Sequence, residues 1–264
     1  MQNSGFLSLA IGNILRHMLG IDLSHYNEML RYEKDMDVLR ALALWITKHR
    51  RDRSIPGLSD PKQYVFDIIQ FYSRKFAVDI MQQSSISDES LSLFHNSLYT
   101  LNRLLGISER DIARAGEQQR YRNSGFWEMR KVLGQFGDVA ESAHSDGITH
   151  IITAAVSGCV IGEFLGFQIS KKYGYSIPVD HMVFARRGKT PTAGHLPDGF
   201  SLSGNHILIA DDAVNETITS GVMVKELRRR CPHAMISLMT VDIDPDTKYS
   251  GYLDQFAHVY LFDA

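Results

Sequence analysis

His206-Ile207-Leu208-Ile209-Ala210 is an unbroken apolar run that ends on Asp211-Asp212, and Ala213-Val214-Asn215-Glu216-Thr217-Ile218-Thr219-Ser220-Gly221 follows it. Strict apolar and polar alternation marks a strand with one wet face; a continuous run of this length marks a strand buried on both faces, as in a parallel sheet. The spacing predicts a strand over His206 to Ala210, two acids at its end, a hydroxyl-rich turn, and a helix over Thr219 to Arg230 that Pro232 stops.

The same grammar extends in both directions. Short apolar segments at Thr149 to Val156, Val179 to Ala185, Ala234 to Val241 and His258 to Phe262 read as further strands, and Ile161 to Tyr173 reads as a helix stopped by Gly174. Strands alternating with helices of about three turns define an α/β fold, a three-layer parallel sheet. Gly188 to Gly204, punctuated by Pro191, Gly194, Pro197 and Gly199, reads as a long mobile loop.

Before residue 146 the periodicity is helical, so the chain divides into a helical region over 1–145 and an α/β domain over 146–264. Asp60-Pro61 reads as the cap and first turn of a helix carrying Val65, Ile68, Ile69, Tyr72, Phe76 and Ile80 on one stripe. Ser87, with Asp88 and Glu89 in the first turn, opens another with Leu91, Phe94, Leu98, Leu101 and Leu105 on its seam. That seam serves either an intramolecular core, the favoured reading, or the interface of a homodimer. Phe126, Met129, Leu133 and Phe136 form the inward face of a helix ending near Gly137, and Trp45, Trp127 and Tyr121 read as packing residues.

Composition narrows the class. With 28 Lys+Arg against 30 Asp+Glu in 264 residues, the net charge of -2 provides no field for nucleic acid. No apolar run reaches the length of a membrane span. The two cysteines, Cys159 and Cys231, have neither disulfide nor metal-pair spacing and read as buried reduced thiols of a cytoplasmic protein. The usual hydrolase, zinc-protease, Walker and dinucleotide motifs are absent.

In an open parallel sheet, ligands bind beyond the carboxyl ends of the strands. Asp211 and Asp212 stand there, and adjacent carboxylates accept hydrogen bonds from a sugar diol or hold a divalent cation. Backbone N–H groups at the start of the next helix suit a phosphate; the competing reading is that the acids only cap the turn. Ser157-Gly158 forms a small-residue turn between strand and helix, a feature tight turns need regardless of function. Arg186-Arg187-Gly188-Lys189 places three cations after a strand, suited to a pyrophosphate or to a solvated edge. His195 reads as a surface residue.

From Ile148 onward these residues together resemble the type I phosphoribosyltransferase family. The likeness rests on the strand before Asp211-Asp212, on Ser157 to Gly162 in place of the pyrophosphate loop, and on Arg186, Arg187 and Lys189 at the second strand's basic end. The resemblance implies that Asp211 and Asp212 bind ribose hydroxyls and Mg2+, while Asn215, Glu216, Thr217 and Thr219 occupy the 5-phosphate loop. It implies a phosphoribosyl pyrophosphate donor, an unidentified acceptor, pyrophosphate release, and a loop at Gly188 to Gly204 that closes over the site. The family's two threonines and two glycines fall on Asn215, Glu216, Thr217 and Ile218, and only Thr219 keeps its type. A turn lengthened to use Thr217, Thr219, Ser220 and Gly221 restores hydroxyls and one glycine. Two alternatives stay open: a non-catalytic sensor of a nucleotide or sugar phosphate, and a hydrolase or phosphorylase on the same scaffold.

Overall fold

The computed structural model describes residues 64, 67–72, 74–75, 78–79, 87–105, 133–155, 158–187, 190–197, 199–202, 204–214 and 217–262. Among these, the sequence-predicted packing residues Trp45, Trp127, Tyr121, Phe126 and Met129 do not fall, nor do Asp60, Pro61, Val65, Phe76 and Ile80.

Helical residues between 64 and 79 come first, then α1 (Asp88–Leu105) and α2 (Phe136–Ser145), which a 3-10 turn (Leu133–Gln135) introduces. The α/β core follows as β1 (His150–Ala154), α3 (Cys159–Tyr173), β2 (Val179–Arg187), β3 (Thr190–His195), β4 (His206–Val214), α4 (Ile218–Arg230), β5 (Met235–Ile243), α5 (Pro245–Tyr249) and β6 (Val259–Leu261). The six strands form one sheet in the order β3-β2-β1-β4-β5-β6. All neighbours are parallel except β2 and β3, which are antiparallel.

The sheet lies between two apolar layers, which is why its central strands read as continuous hydrophobic runs. Ile151, Val179, Val183, Leu208 and Ala210 face α2 and α3. Ile152, Met182, Phe184, Ile207 and Ile209 face Met223 and Leu227 of α4. Ile68, Ile69, Tyr72, Leu91, Phe94 and Leu98 join the first of these clusters, so the described part of the α1 seam is buried within the chain. Leu101 and Leu105 lie on α1, but their side chains lie outside the described residues.

Two expectations change. Residues 190–195, read as loop, are strand β3, which turns back along β2 in the register Val183↔His195 to Arg187↔Thr190. Pro191 and Gly194 misled because both are tolerated on an edge strand; Gly194 packs against Met182, whose Sδ occupies the space a Cβ would take. Gly137, read as a helix stop, is the second residue of α2, and Phe136 is fully buried as the first.

α3 lies unusually close to the sheet. A Cβ on Gly158 would meet the Ala210 carbonyl oxygen, and one on Gly162 would meet Thr153 Cγ2. Gly174, at φ 75, ends the helix in the left-handed conformation expected of a glycine stop.

Candidate functional site at the carboxyl end of the sheet

β4 continues past the predicted end at Ala210. It pairs with β1 only as far as Thr153↔Ala210, but with β5 through Asp211↔Thr240 to Val214↔Ile243. Asp211 and Asp212 therefore sit inside β4 yet beyond its last pairing with β1, where the sheet steps down on one flank of β4. By the alternation of side chains, Asp212 shares a face with Leu208 and Ala210, and Asp211 shares one with Ile207 and Ile209. The two carboxylates leave the strand on opposite sides. Both residues are buried, and the Asp212 backbone N–H donates to Asp211 Oδ1 at 3.0 Å.

The step is occupied by the turn between β1 and α3. A Cβ on Gly158 would lie 3.1 Å from Asp211 Cα and 3.1 Å from the Ala154 nitrogen, besides its collision with the Ala210 oxygen. The chain passes so close to the acidic segment that only glycine fits. The predicted turn glycine and the predicted acids, 53 positions apart, are thus brought into contact (211 minus 158).

Beyond β4 the chain enters α4 through Thr217, the one non-glycine residue at positive φ among those described, at φ 54 and ψ -2. A β-branched side chain disfavours that conformation, and glycine adopts it freely. Thr217 makes no side-chain cap, leaving the first N–H groups of α4 uncapped by it.

The remaining predicted residues divide. Ser220 is buried and its hydroxyl is engaged within the protein, donating to the Thr217 carbonyl at 3.3 Å and accepting from the Tyr252 hydroxyl at 2.8 Å. Thr219 and Gly221 are half-buried in the first turn of α4. Arg186 and Arg187 end β2, opposite Pro191 and Thr190, and their side chains lie outside the described residues. β1 stops level with Met182, so at about 3.3 Å per residue these cations stand about 15 Å further along the hairpin. Ser157, Lys189, Asn215 and Glu216 lie outside the described residues. His195 closes β3, paired with Val183.

Among the described residues no three His, Cys, Asp or Glu side chains group to hold a metal ion. Asp211 and Asp212 offer carboxylate oxygens at the site. That donor set suits Mg2+, which takes one or two carboxylates and completes its shell with substrate oxygens and water. No helix among the described residues is long and apolar enough to cross a membrane.

A network that the sequence did not disclose lies behind the turn. Thr153 Oγ1 is 2.6 Å from His181 Nδ1, His181 Nε2 is 3.4 Å from Glu163 Oε1, and Arg74 Nε donates to Glu163 Oε2 at 3.3 Å. Burial alone would lower the His181 pKa, but Cys159 and Glu163 beside it raise it to about 10. The network joins four separate segments, and only the β1–β2 register brings Thr153 opposite His181.

The architecture is that of an α/β protein with a mixed, mostly parallel six-stranded sheet. The chain is similar in structure, over about half its length, to purine phosphoribosyltransferases. One is the purine phosphoribosyltransferase from Pyrococcus horikoshii Ot3, at 14% identity and a TM-score of 0.33, covering 51% of this chain and 83% of that one. Another is the Helicobacter pylori xanthine-guanine-hypoxanthine phosphoribosyltransferase, at 10% identity and a TM-score of 0.34, covering 55% of this chain and 86% of that one. No family model matches the chain. No curated protein matches it either.

Proposed function

We propose that the protein binds phosphoribosyl pyrophosphate or a related ribose phosphate at the step between β1 and β4, and transfers the phosphoribosyl group to an acceptor. The observation that carries this reading is the seat of Gly158 against Ala210 and Asp211, which joins a close-approach turn to an acidic pair at the carboxyl ends of parallel strands. Carboxylates on opposite faces of β4 suit a diol lying across the strand end. The turn at Thr217 and the N–H groups of α4 suit its 5-phosphate.

In the transfer, the acceptor's lone pair forms a bond to the anomeric carbon as the bond to pyrophosphate breaks, and pyrophosphate leaves with the bonding electrons. The acceptor's proton passes to solvent or to the departing pyrophosphate. Positive charge gathers on the ribose, so nearby Asp211 and Asp212 stabilise it electrostatically. Mg2+, held by Asp211 or Asp212 with the ligand's own oxygens, would neutralise the pyrophosphate charge. Gly158 contributes by letting backbone N–H groups of the turn approach the ligand. Arg186, Arg187 and Lys189 on the hairpin would meet the pyrophosphate, and the helical region over 1–145 would cover the acceptor or supply a dimer interface.

The decisive measurement is thermal stability. Phosphoribosyl pyrophosphate with Mg2+ is expected to raise Tm, and Asp211→Asn with Asp212→Asn to remove the increase. Absence of any increase at millimolar ligand would sink the reading. An increase without pyrophosphate release across candidate acceptors would favour a sensor. The changed side chains at Asn215 to Ile218 favour that second reading.

A further inference from the structure

The polar side chains behind the β1–α3 turn constrain one another's hydrogens. Cys159 and Glu163 lie one turn apart on α3 and so share a face, while the β1–β2 register sets Thr153 beside His181 on the strands. All four residues are buried. Gly162 brings the helix down onto Thr153, whose methyl group fills the space a Cβ would take.

Thr153 Oγ1 is 2.6 Å from His181 Nδ1 and donates to Cys159 Sγ at 3.6 Å. A hydroxyl has one hydrogen to give. With that hydrogen directed at the sulfur, the short contact to Nδ1 needs a hydrogen from the ring. On the other side of the ring, Nε2 and Glu163 Oε1 are both buried without a hydrogen bond of standard geometry, and they lie 3.4 Å apart. A bare nitrogen there would set its lone pair against a carboxylate oxygen, so Nε2 carries a hydrogen as well. A ring protonated at both nitrogens is an imidazolium.

The charges agree. Glu163 supplies the buried countercharge, and its other oxygen accepts from Arg74 Nε at 3.3 Å, so the chain of partners runs from an exposed arginine to the turn. Burial opposes a charge on His181, but Cys159 and Glu163 beside it hold its pKa up at about 10. The charged and titratable groups around the ring are Cys159 and Glu163 on α3, Asp180 beside it on β2, and Arg74 beyond Glu163 on the helical segment before α1.

We propose that His181 is a positioning residue for the β1–α3 turn: as an imidazolium it directs the Thr153 hydroxyl to Cys159 and so fixes the first residue of α3, next to Gly158. The role assigned to the turn rests on the reading of this step as the phosphoribosyl pyrophosphate site. The hydrogen-bond arrangement itself does not.

Three measurements on the full chain test it. Nitrogen NMR of the histidine rings, with His181 assigned through its backbone, should show both of its nitrogens protonated at about pH 8, where an ordinary histidine is neutral. A single protonated nitrogen there overturns the proposal. Amide hydrogen exchange reports the turn without any ligand, because the Gly158 N–H donates to the Ala154 carbonyl at 2.8 Å. Thr153→Val keeps the β-branched shape and removes the hydroxyl, so Gly158 should exchange about tenfold faster or more, while Ile151, whose N–H donates to the Pro178 carbonyl, stays unchanged. Cys159→Ala cuts the same link from its other end and should act alike, and Thr153→Ser should restore slow exchange. Exchange at Gly158 indifferent to both Thr153→Val and Cys159→Ala overturns the proposal.

Titration calorimetry with phosphoribosyl pyrophosphate and Mg2+ supplies the third. Thr153→Val should weaken binding about tenfold. Glu163→Gln removes the countercharge and leaves burial to lower the pKa of His181. Its affinity should match wild type below the lowered value and fall behind as pH rises through it. A ratio of affinities that stays flat with pH overturns the proposal. If wild type binds no phosphoribosyl pyrophosphate, the reading of the site fails, and the ring protonation and Gly158 exchange decide the positioning of the turn by themselves.

Discussion

The two ends of the parallel sheet are built on opposite principles. At the carboxyl end, backbone does the shaping: a glycine pressed against β4, a threonine held at positive φ, and an acid that accepts from the next residue's own N–H. At the amino end, side chains do it: His150, Asp180, Gln70 and Phe200 brace one another from four segments. A backbone-shaped site is sensitive to the volume of single atoms. A side-chain-shaped site is sensitive to charge and hydrogen bonding. The two ends should therefore fail under different substitutions, and the contrast can be broken or sharpened in turn.

The largest effect is expected from Gly158→Ala. The added methyl meets a backbone carbonyl that cannot swing aside, so the upper part of the usual overpacking cost of about 1–3 kcal/mol applies. Chemical denaturation should show that loss, and Tm should no longer respond to phosphoribosyl pyrophosphate. A Tm response that survives the substitution would show that the close approach of this turn does not shape the site. Asp180→Asn comes next, at about 1–2 kcal/mol, because it weakens a charge-assisted hydrogen bond to a buried ring. Its signature is pH dependence. The folded carboxyl of Asp180 lies below its ordinary value of 3.8, so its contribution is present above that pH and is lost as pH falls through the folded value. Denaturation curves of wild type and variant should thus converge in acid and diverge above pH 3.8; parallel curves throughout would show that the pair contributes nothing through its charge.

The smallest effect carries the opposite sign. Thr217→Gly removes a left-handed conformation costing a β-branched residue about 1 kcal/mol and loses no cap, since the threonine side chain makes none. Allowing for glycine's entropy, a gain of about 0.5 kcal/mol is expected in the same denaturation measurement. A lower Tm would mean that the threonine side chain holds something the helix start needs.

How far the sequence disclosed each end follows from the same contrast. The strand from His206, the acids and the start of α4 are contiguous, so periodicity and turn chemistry exposed them within about one residue, except that β4 ran on through Val214 because β5 continues to pair with it. The contact of Gly158 with Asp211 needed the fold, although a glycine between strand and helix was a visible hint. Nothing local marked the amino end. His150 and Asp180 are 30 positions apart, and neither belongs to a motif; the β1–β2 register, with Ile152 opposite Asp180, places them together. Strand β3 was missed because proline and glycine carry the same letters in an edge strand and in a loop.

Thr217 has one more consequence. Its neighbours hold it in a shape that another amino acid would adopt with less resistance, so the bend is specified by the surrounding scaffold more than by its own chemistry. A library varying that single position should therefore recover folded proteins readily, and whichever members lose ligand response while keeping their fold would reveal what the threonine is retained for.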